Sequence, residues 1–143
     1  MPDFTQITVS VTVHARIDQS WNAFTSPDSI TQWNFASDDW CCPKATNDLR
    51  AGGEFNYRME SRDGKYGFDF QGTYTKVMPD RLIEYALEDG RSVSIHFREL
   101  GGKTEVMETF DAETENPLEL QRSGWQAILD NFKKHAESMA GNI

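Results

Sequence analysis

The sequence predicts an α+β fold in which a curved antiparallel β-sheet wraps around one long C-terminal helix. Over about residues 5–111, apolar and polar residues alternate in short segments joined by tight turns, which is typical of strands. From Leu118 to Ala140 the apolar residues instead recur at helical spacing: Trp125, Ile128, Leu129 and Phe132. Because this single helix has to cover the sheet, the layer between them is expected to be either a filled core or a ligand pocket.

The first elements are a strand and two short helices. Apolar and polar residues alternate from Ile7 to His14, as in a strand with one buried face. Asp18 is the expected N-cap of the first short helix, and Ser26-Pro27-Asp28 begins the second. The second helix carries no basic side chain, unlike its counterpart in a DNA-binding helix-turn-helix motif. The pair is therefore predicted to be a structural element at the edge of the sheet.

The middle of the chain predicts a meander of strands. Residues 34–48 show no clear period and are expected to form a long surface loop. The following turns are predicted at Leu49–Gly53, Arg62–Lys65, Met78–Arg81, Glu88–Gly90 and Gly101–Gly102. Because short turns join these strands, the sheet is expected to be antiparallel, with the two short helices inserted after the first strand. No repeat or change of composition divides the chain, so residues 1–143 are expected to form one domain.

The chain is acidic, with 23 Asp and Glu residues against 14 Lys and Arg residues and a net charge of -9. This charge repels nucleic-acid phosphates and anionic lipid headgroups, so neither nucleic acid nor a membrane is an expected partner. The sequence shows neither an export signal nor a membrane-spanning apolar run, which predicts a soluble cytoplasmic protein. A bond between the adjacent Cys41 and Cys42 would be strained, so both are expected to be reduced thiols. Neither a metal site nor a cofactor is predicted.

Four segments stand in an informative order along the chain: Trp21–Asp28 with Trp33, Asp48–Phe55, Val77–Leu82, and Gly124-Trp125 with Leu129. In content and spacing they resemble the Hsp90-ATPase-activator-homologue (AHSA1-like) branch of the START-like (SRPBCC) superfamily. The resemblance spans nearly the whole chain. It implies a helix-grip fold like that of the major birch pollen allergen (Bet v 1-like), in which a curved antiparallel sheet wraps on the C-terminal helix and two short helices close one end.

The resemblance implies less about function. Members of the superfamily bind lipids, polyketides, hormones or other apolar molecules, and some catalyse cyclisation. The branch is named for a cochaperone, in which this domain is joined to an N-terminal domain that carries much of the chaperone contact. Because another domain makes that contact, the cochaperone role is not expected to follow from the fold alone.

A ligand pocket would be lined by the inward residues of the strands and the buried side of the long helix. For each ring the alternative is that it fills the core, although a bent sheet that stands off one helix favours unfilled space. Tyrosine hydroxyls there either orient a ligand or bond to the backbone and water. Trp33 and Trp40 are expected at the mouth, and the predicted walls are Phe55, Tyr57, Met59, Phe68, Phe70, Tyr74, Tyr85, Ile95, Phe97, Trp125, Leu129 and Phe132.

A catalytic role needs an acid, base or nucleophile inside the pocket. Most charged strand residues take the outward position, as does His96, and His14 and His135 are also expected on the surface. Glu108 is a weak candidate because the sequence does not decide its direction; an inward carboxyl would have a raised pKa and could act as a base. Arg50 is expected to pair with a nearby acid and hold its turn rather than clamp an anionic ligand.

The sequence leaves three functions open. The first is binding of a small apolar or amphipathic molecule, without an assigned physiological role. The second is a protein-interaction or cochaperone-like module, acting on a protein partner or as a homodimer. The third is a cyclase- or hydrolase-type enzyme that uses Glu108 or a pocket tyrosine. They predict, respectively, an enclosed cavity, a filled core with a coherent exposed patch, and an ionisable group of unusual pKa inside a cavity.

Overall fold

A computed structural model describes residues 4–140 of the chain. Its elements are β1 (Gln6–Val13), α1 (Ile17–Thr25), α2 (Pro27–Trp33), β2 (Trp40–Asn47), β3 (Glu54–Ser61), β4 (Gly67–Met78), β5 (Leu82–Ala86), β6 (Ser92–Leu100), β7 (Lys103–Asp111) and α3 (Leu118–Ala140). The predicted α+β fold is confirmed, including the bounds of the long helix and the presence of two short helices after β1. None of the helices in the described part of the chain is long and apolar enough to span a membrane.

Within residues 4–140, seven strands form one antiparallel sheet in the order β1-β7-β6-β5-β4-β3-β2. The sheet curls into a half-barrel around α3. The alternation of apolar and polar residues determines which side chains lie on the inner face of the sheet. In β1, every second residue from Ile7 to Val13 is buried. This is the half-buried pattern that the sequence predicts for the first strand.

The outer face of the sheet carries charged side chains in cross-strand pairs. Arg98 of β6 contacts Glu105 of β7 (Nη2 to Oε1, 3.0 Å), and Arg58 of β3 contacts Asp69 of β4 (Nη1 to Oδ2, 3.6 Å). Exposed pairs of this kind contribute little to stability. The positions of Arg58, Asp69 and Arg98 confirm that alternation correctly assigned these charges to the outer face.

Two expectations for the N-terminal third are wrong. Residues 34–48 contain the edge strand β2, paired with β3, rather than a long loop. A bulge at Pro43, which has no N–H to offer the sheet, interrupts the alternation and explains the missing period. The first helix also begins earlier than expected, because Arg16 occupies the N-cap position and Asp18 lies in the first turn.

The long helix α3 packs closely on some of the elements around it and stands apart from others. Its backbone approaches β1 and the two short helices, whereas it stands farther from β3, β4 and β5. Where the short helices meet α3, rings with centroids 5.0–5.5 Å apart fill the interior. The buried indole N–H of Trp33 donates to the Ala23 carbonyl at 2.9 Å. We call this region the closed aromatic cluster: Trp21, Phe24, Trp33, Phe97 and Phe132.

Candidate functional site

An apolar cavity of about 310 Å³ lies between α3 and the strands from which it stands apart. Trp125 of α3 bridges the gap: it stacks on Phe110 of β7 at a centroid distance of 4.0 Å and meets Phe70 of β4 at 6.3 Å. The cavity is therefore a consequence of the wide spacing between α3 and the far half of the sheet. Its volume is at the lower end of the range for small-molecule sites.

The structure brings most of the predicted site residues to this cavity. On its wall are Trp33, Tyr57, Met59, Phe68, Phe70, Tyr74, Tyr85, Ile95, Trp125 and Leu129. Four others lie elsewhere: Trp40, Phe55, Phe97 and Phe132. Phe97 and Phe132 belong to the closed aromatic cluster, and Phe55 lies behind the wall, against Tyr85 with 4.7 Å between centroids. Alternation cannot distinguish a ring that faces a void from one that faces another ring.

The mouth of the cavity differs from the prediction. Trp33 is buried and reaches the cavity from inside the closed aromatic cluster. Trp40 packs on Phe68 at a centroid distance of 5.9 Å, outside the cavity. Phe68 itself is 51% exposed. Phe68 therefore lines the cavity at its rim and is more exposed than its position in the alternation predicts.

Sequence reasoning missed six wall residues: Phe24, Thr25, Asn34, Ile83, Arg91 and Ile128. Ile83 and Ile128 carried a usable signal, since Ile83 follows the alternation of β5 and Ile128 lies on the apolar side of α3. Thr25 and Asn34 carried none. They stand at the C-terminal ends of α1 and α2, which reach the cavity only when the fold closes.

Most polar groups on the wall already have protein partners. The Tyr74 hydroxyl donates to Oδ1 of Asn47 at 2.6 Å, and Nδ2 of Asn47 donates to the Thr25 carbonyl at 2.8 Å. Burial raises the pKa of Tyr74 to about 12. Nε of Arg91 donates to Oδ2 of Asp89 at 2.7 Å. The bonds of Tyr74 and Asn47 hold the fold together, and the guanidinium of Arg91 is engaged through its Nε.

Glu108 faces the cavity and is 7% exposed, which answers the question of direction that the sequence left open. Its register partners are Val9 of β1 and Ile95 of β6, and its neighbours on the same face of β7 are Val106 and Phe110. None of the residues 4–140 forms a hydrogen bond or an ion pair with its carboxyl. Burial in these apolar surroundings raises the pKa of Glu108 to about 8, so the carboxyl is mainly protonated at neutral pH.

Tyr85 is a second wall group without a protein partner among the described residues. Burial raises the pKa of its hydroxyl well above the ordinary value, and negative charge on Glu108 raises it further. Tyr57 differs, because it interacts with Tyr74; burial and this neighbour raise the pKa of Tyr57. The cavity therefore offers apolar walls and two unengaged O–H groups, those of Glu108 and Tyr85.

The other candidate polar residues lie outside the cavity. Arg50 is exposed and its Nε donates to Asp48 at 3.0 Å, which raises the pKa of the guanidinium and agrees with the predicted structural role in the turn. His14 and His96 are exposed, as predicted. His135 is half-buried rather than a surface group, and burial lowers its pKa.

Both cysteines are free thiols, as predicted. Cys42 is buried, its thiol donates to the Lys44 carbonyl at 3.6 Å, and burial raises its pKa. A raised pKa keeps the thiol protonated and unreactive. Neither cysteine lines the cavity.

Comparison with known proteins identifies the family. The family model described as activator of Hsp90 ATPase homolog 1-like protein (AHSA1) matches residues 14–137, most of the chain. The chain belongs to the AHSA1 family. The resemblance carried by the four sequence segments is therefore confirmed. None of the curated proteins matches the chain.

Solved structures of similar proteins share the AHSA1 fold. The AHSA1-like protein from Aeromonas hydrophila is 41% identical with a TM-score of 0.84, covering 93% of this chain and 94% of that one. A protein from Cytophaga hutchinsonii is 46% identical with a TM-score of 0.81, covering 96% of each chain. A Chromobacterium violaceum protein, 20% identical with a TM-score of 0.83 over 93% of this chain and 98% of that one, shares the fold. None of the three is described by a ligand or an activity.

Proposed function

We propose that this AHSA1-family protein binds a small, mostly apolar molecule between α3 and the sheet. The observation that carries the proposal is the apolar cavity of about 310 Å³. The apolar wall of the cavity offers packing contacts to an apolar molecule of matching size. The proposed contacts are Tyr57, Phe70, Tyr85, Ile95, Trp125 and Leu129. As part of the same proposal, the protein acts in the cytoplasm, where free thiols such as Cys41 and Cys42 stay reduced.

Native mass spectrometry tests this function directly. Protein purified without organic solvent is expected to retain one small molecule per chain, and the mass of that molecule indicates its chemical class. Added cumene, an uncharged aromatic hydrocarbon, is expected to raise the unfolding temperature, because a ligand that binds only the folded state stabilises it. Protein that retains no molecule and is stabilised by neither cumene nor acetophenone would contradict the proposal.

Trp125→Ala tests whether the cavity is the binding site. The substitution removes the ring that stacks on Phe110, so we expect binding of cumene to weaken at least about tenfold, together with a loss of stability. His96→Ala is the matched control, because His96 faces solvent from β6; it is expected to change neither quantity. Loss of binding in a folded His96→Ala variant would move the site to the outer face of the sheet.

A second candidate function is acid–base catalysis by Glu108. The observation that favours it is a cavity-facing carboxyl whose pKa burial raises to about 8, a property typical of catalytic acids and bases. Against it, the described neighbours of Glu108 on the sheet are apolar and provide no group to receive its proton. Turnover of the retained molecule that disappears in Glu108→Gln, while binding persists, would favour the enzyme.

The protein-interaction hypothesis has less support. It predicts a filled core and one coherent apolar patch, whereas the exposed apolar side chains are spread over several elements: Tyr66, Phe68, Met78, Leu100, Met107, Leu118, Leu120 and Met139. We expect a monomer by light scattering coupled to size-exclusion chromatography. A stable homodimer would restore this hypothesis as the leading one.

A further inference from the structure

We infer that the ligand of this cavity is an uncharged, mainly apolar molecule with a carbonyl group that accepts a hydrogen bond from the carboxyl of Glu108. The inference rests on the proposed binding function and specifies the class of ligand. Tyr85 offers a second donor on the same wall, to the same oxygen or to a neighbouring one.

The first support is the isolation of Glu108 on the inner face of the sheet. Its cross-strand partners and its same-face neighbours are Val9, Ile95, Val106 and Phe110, each at most 4% exposed. None of these side chains accepts a hydrogen bond, so the partner of the carboxyl has to come from the cavity side. A buried polar group left unpaired costs free energy. The carboxyl of Glu108 faces the cavity, so a ligand that displaces water from the cavity has to provide the hydrogen-bond partner in its place.

The second support is the contrast with the other polar groups on the wall. Thr25 donates its hydroxyl to the Trp21 carbonyl at 2.8 Å, and Tyr74 donates to Asn47 at 2.6 Å. The hydrogen bonds of these two hydroxyls are made within the protein and need no ligand. Glu108 and Tyr85 are the wall groups for which residues 4–140 provide no such bond. Tyr85 pairs with Val93 and Val93 pairs with Phe110, two positions along β7 from Glu108, so both point to the same concave face.

The third support is the protonation state, which decides which ligand group fits. A protonated carboxyl donates its O–H, and a carbonyl oxygen accepts it with no buried charge on either side. A ligand ammonium would require Glu108 to ionise and two charges to lose their hydration inside an apolar space. A ligand carboxylate would bring one such charge into the cavity, where the cation on the wall, Arg91, already shares its Nε with Asp89.

The remaining titratable groups on the wall do not change this assignment. They are Tyr57 of β3, Tyr74 of β4, Tyr85 of β5 and Arg91, which precedes β6. Burial raises the pKa of all three tyrosines, so they stay neutral where Glu108 titrates. The wall residues of α3 are Trp125, Ile128 and Leu129, and the residue of β1 opposite Glu108 is a valine. A pH response of binding near pH 8 is therefore attributable to Glu108.

Three probes with one phenyl body test the ligand class. Acetophenone carries the carbonyl, cumene replaces it with an apolar branch, and α-methylbenzylammonium replaces it with a cation. Dissociation constants are measured by NMR titration at about pH 7, where the carboxyl is protonated, in the wild type and in Glu108→Leu. We expect the preference for acetophenone over cumene to fall about fivefold in Glu108→Leu, the factor typical of one hydrogen bond. Binding of cumene is expected to be unchanged or tighter.

Glu108→Gln is the matched control, because it keeps a donor of similar size and removes the ionisation. It is expected to retain the preference for acetophenone at every pH. In the wild type the preference is expected to fall as the pH rises through about 8, where Glu108 loses its proton. This comparison decides the question even where Glu108→Leu does not fold.

The outcomes separate this inference from the proposed function. An acetophenone preference that is equal in the wild type and Glu108→Leu, or independent of pH in the wild type, would overturn the carbonyl inference and leave the cavity as a binding site. Preferential binding of α-methylbenzylammonium that strengthens with pH would overturn it in favour of an amine ligand. Binding of none of the three probes would contradict the proposed function itself.

Discussion

The closed aromatic cluster and the cavity wall use similar rings in opposite ways. In the cluster, tryptophan and phenylalanine rings pack where α1 and α2 approach α3. Around the cavity, rings that include three tyrosines surround about 310 Å³ of unfilled space. The difference lies in the backbone, because α3 lies close to the short helices and far from β3, β4 and β5. Aromatic content alone therefore does not distinguish a core from a site; the spacing of the layers does.

Ring deletion is expected to give the largest difference between the two regions. Phe132→Ala removes a fully buried ring that contacts Phe24 and Trp33, so the free energy of unfolding should fall by about 3–5 kcal/mol. Phe70→Ala removes a partly exposed ring that faces the cavity, where many contacts are already missing, and should cost at most about 2 kcal/mol. Urea denaturation measures both. Equal losses would indicate that the cavity is filled in solution.

The free energy of unfolding is also expected to depend on pH, through Glu108 on the cavity wall. Its folded-state pKa of about 8 lies above the ordinary value of 4.5, so the folded protein holds this proton more tightly than the unfolded chain does. The resulting stability is complete below the unfolded pKa and is lost as pH rises through the folded one. Between about pH 5.5 and about pH 7.5 the loss should be about 2.5 kcal/mol.

Glu108→Gln isolates this contribution, because every other titrating group is common to both proteins. Urea denaturation of each protein across the pH range should give curves whose difference grows with pH, with the wild type losing stability faster. Parallel pH profiles would show that Glu108 ionises in the folded protein much as it does in the unfolded chain.

Trp33→Phe probes the polar contact inside the closed aromatic cluster. It removes the indole N–H that binds the Ala23 carbonyl near the end of α1, so a buried carbonyl loses its partner and unfolding should become easier by about 2 kcal/mol. Trp40→Phe changes a half-buried ring outside the cluster and should cost less than about 1 kcal/mol. Thermal unfolding of the two variants side by side gives the comparison, and a smaller cost for Trp33→Phe would argue against the Ala23 bond.

The smallest effect is expected from two tyrosine hydroxyls on the cavity wall. Tyr74→Phe removes the donor to Asn47 and should lower the free energy of unfolding by about 1 kcal/mol. Tyr85→Phe removes a hydroxyl without a described protein partner and should leave stability unchanged or slightly higher. Each variant lacks one hydroxyl group of the wild type. A larger cost for Tyr85→Phe would therefore reveal a partner for the Tyr85 hydroxyl inside the folded protein.

Periodicity was sufficient to predict most of the fold. The helical spacing of the C-terminal segment gave the bounds of α3, and alternation gave the inner face of β1. It failed at β2, where the bulge at Pro43 displaces the alternation of an edge strand. Local patterns thus predict elements wherever the backbone is regular, and they fail where one residue interrupts the pairing.

The site was less predictable, because alternation gives the direction of a side chain and not the distance to the opposing layer. Phe97 and Tyr85 both point inward, yet Phe97 meets the Trp21 ring at 5.1 Å while Tyr85 faces the cavity. Glu108 posed the opposite problem. It alternates in β7 with Val106 and Phe110 on one face and Met107 and Thr109 on the other, so the pattern did not decide its direction; in the structure it points inward.

The stack of Trp125 on Phe110 has a geometrical consequence. Because this pair joins α3 to the sheet, the size of the indole sets the distance between α3 and β7 beside the cavity. A smaller residue at position 125 would leave a gap between α3 and Phe110, and α3 would move toward the sheet. The volume of the cavity therefore depends on the side chain at position 125, so a substitution there would change the size of ligand that fits, with the strands unchanged.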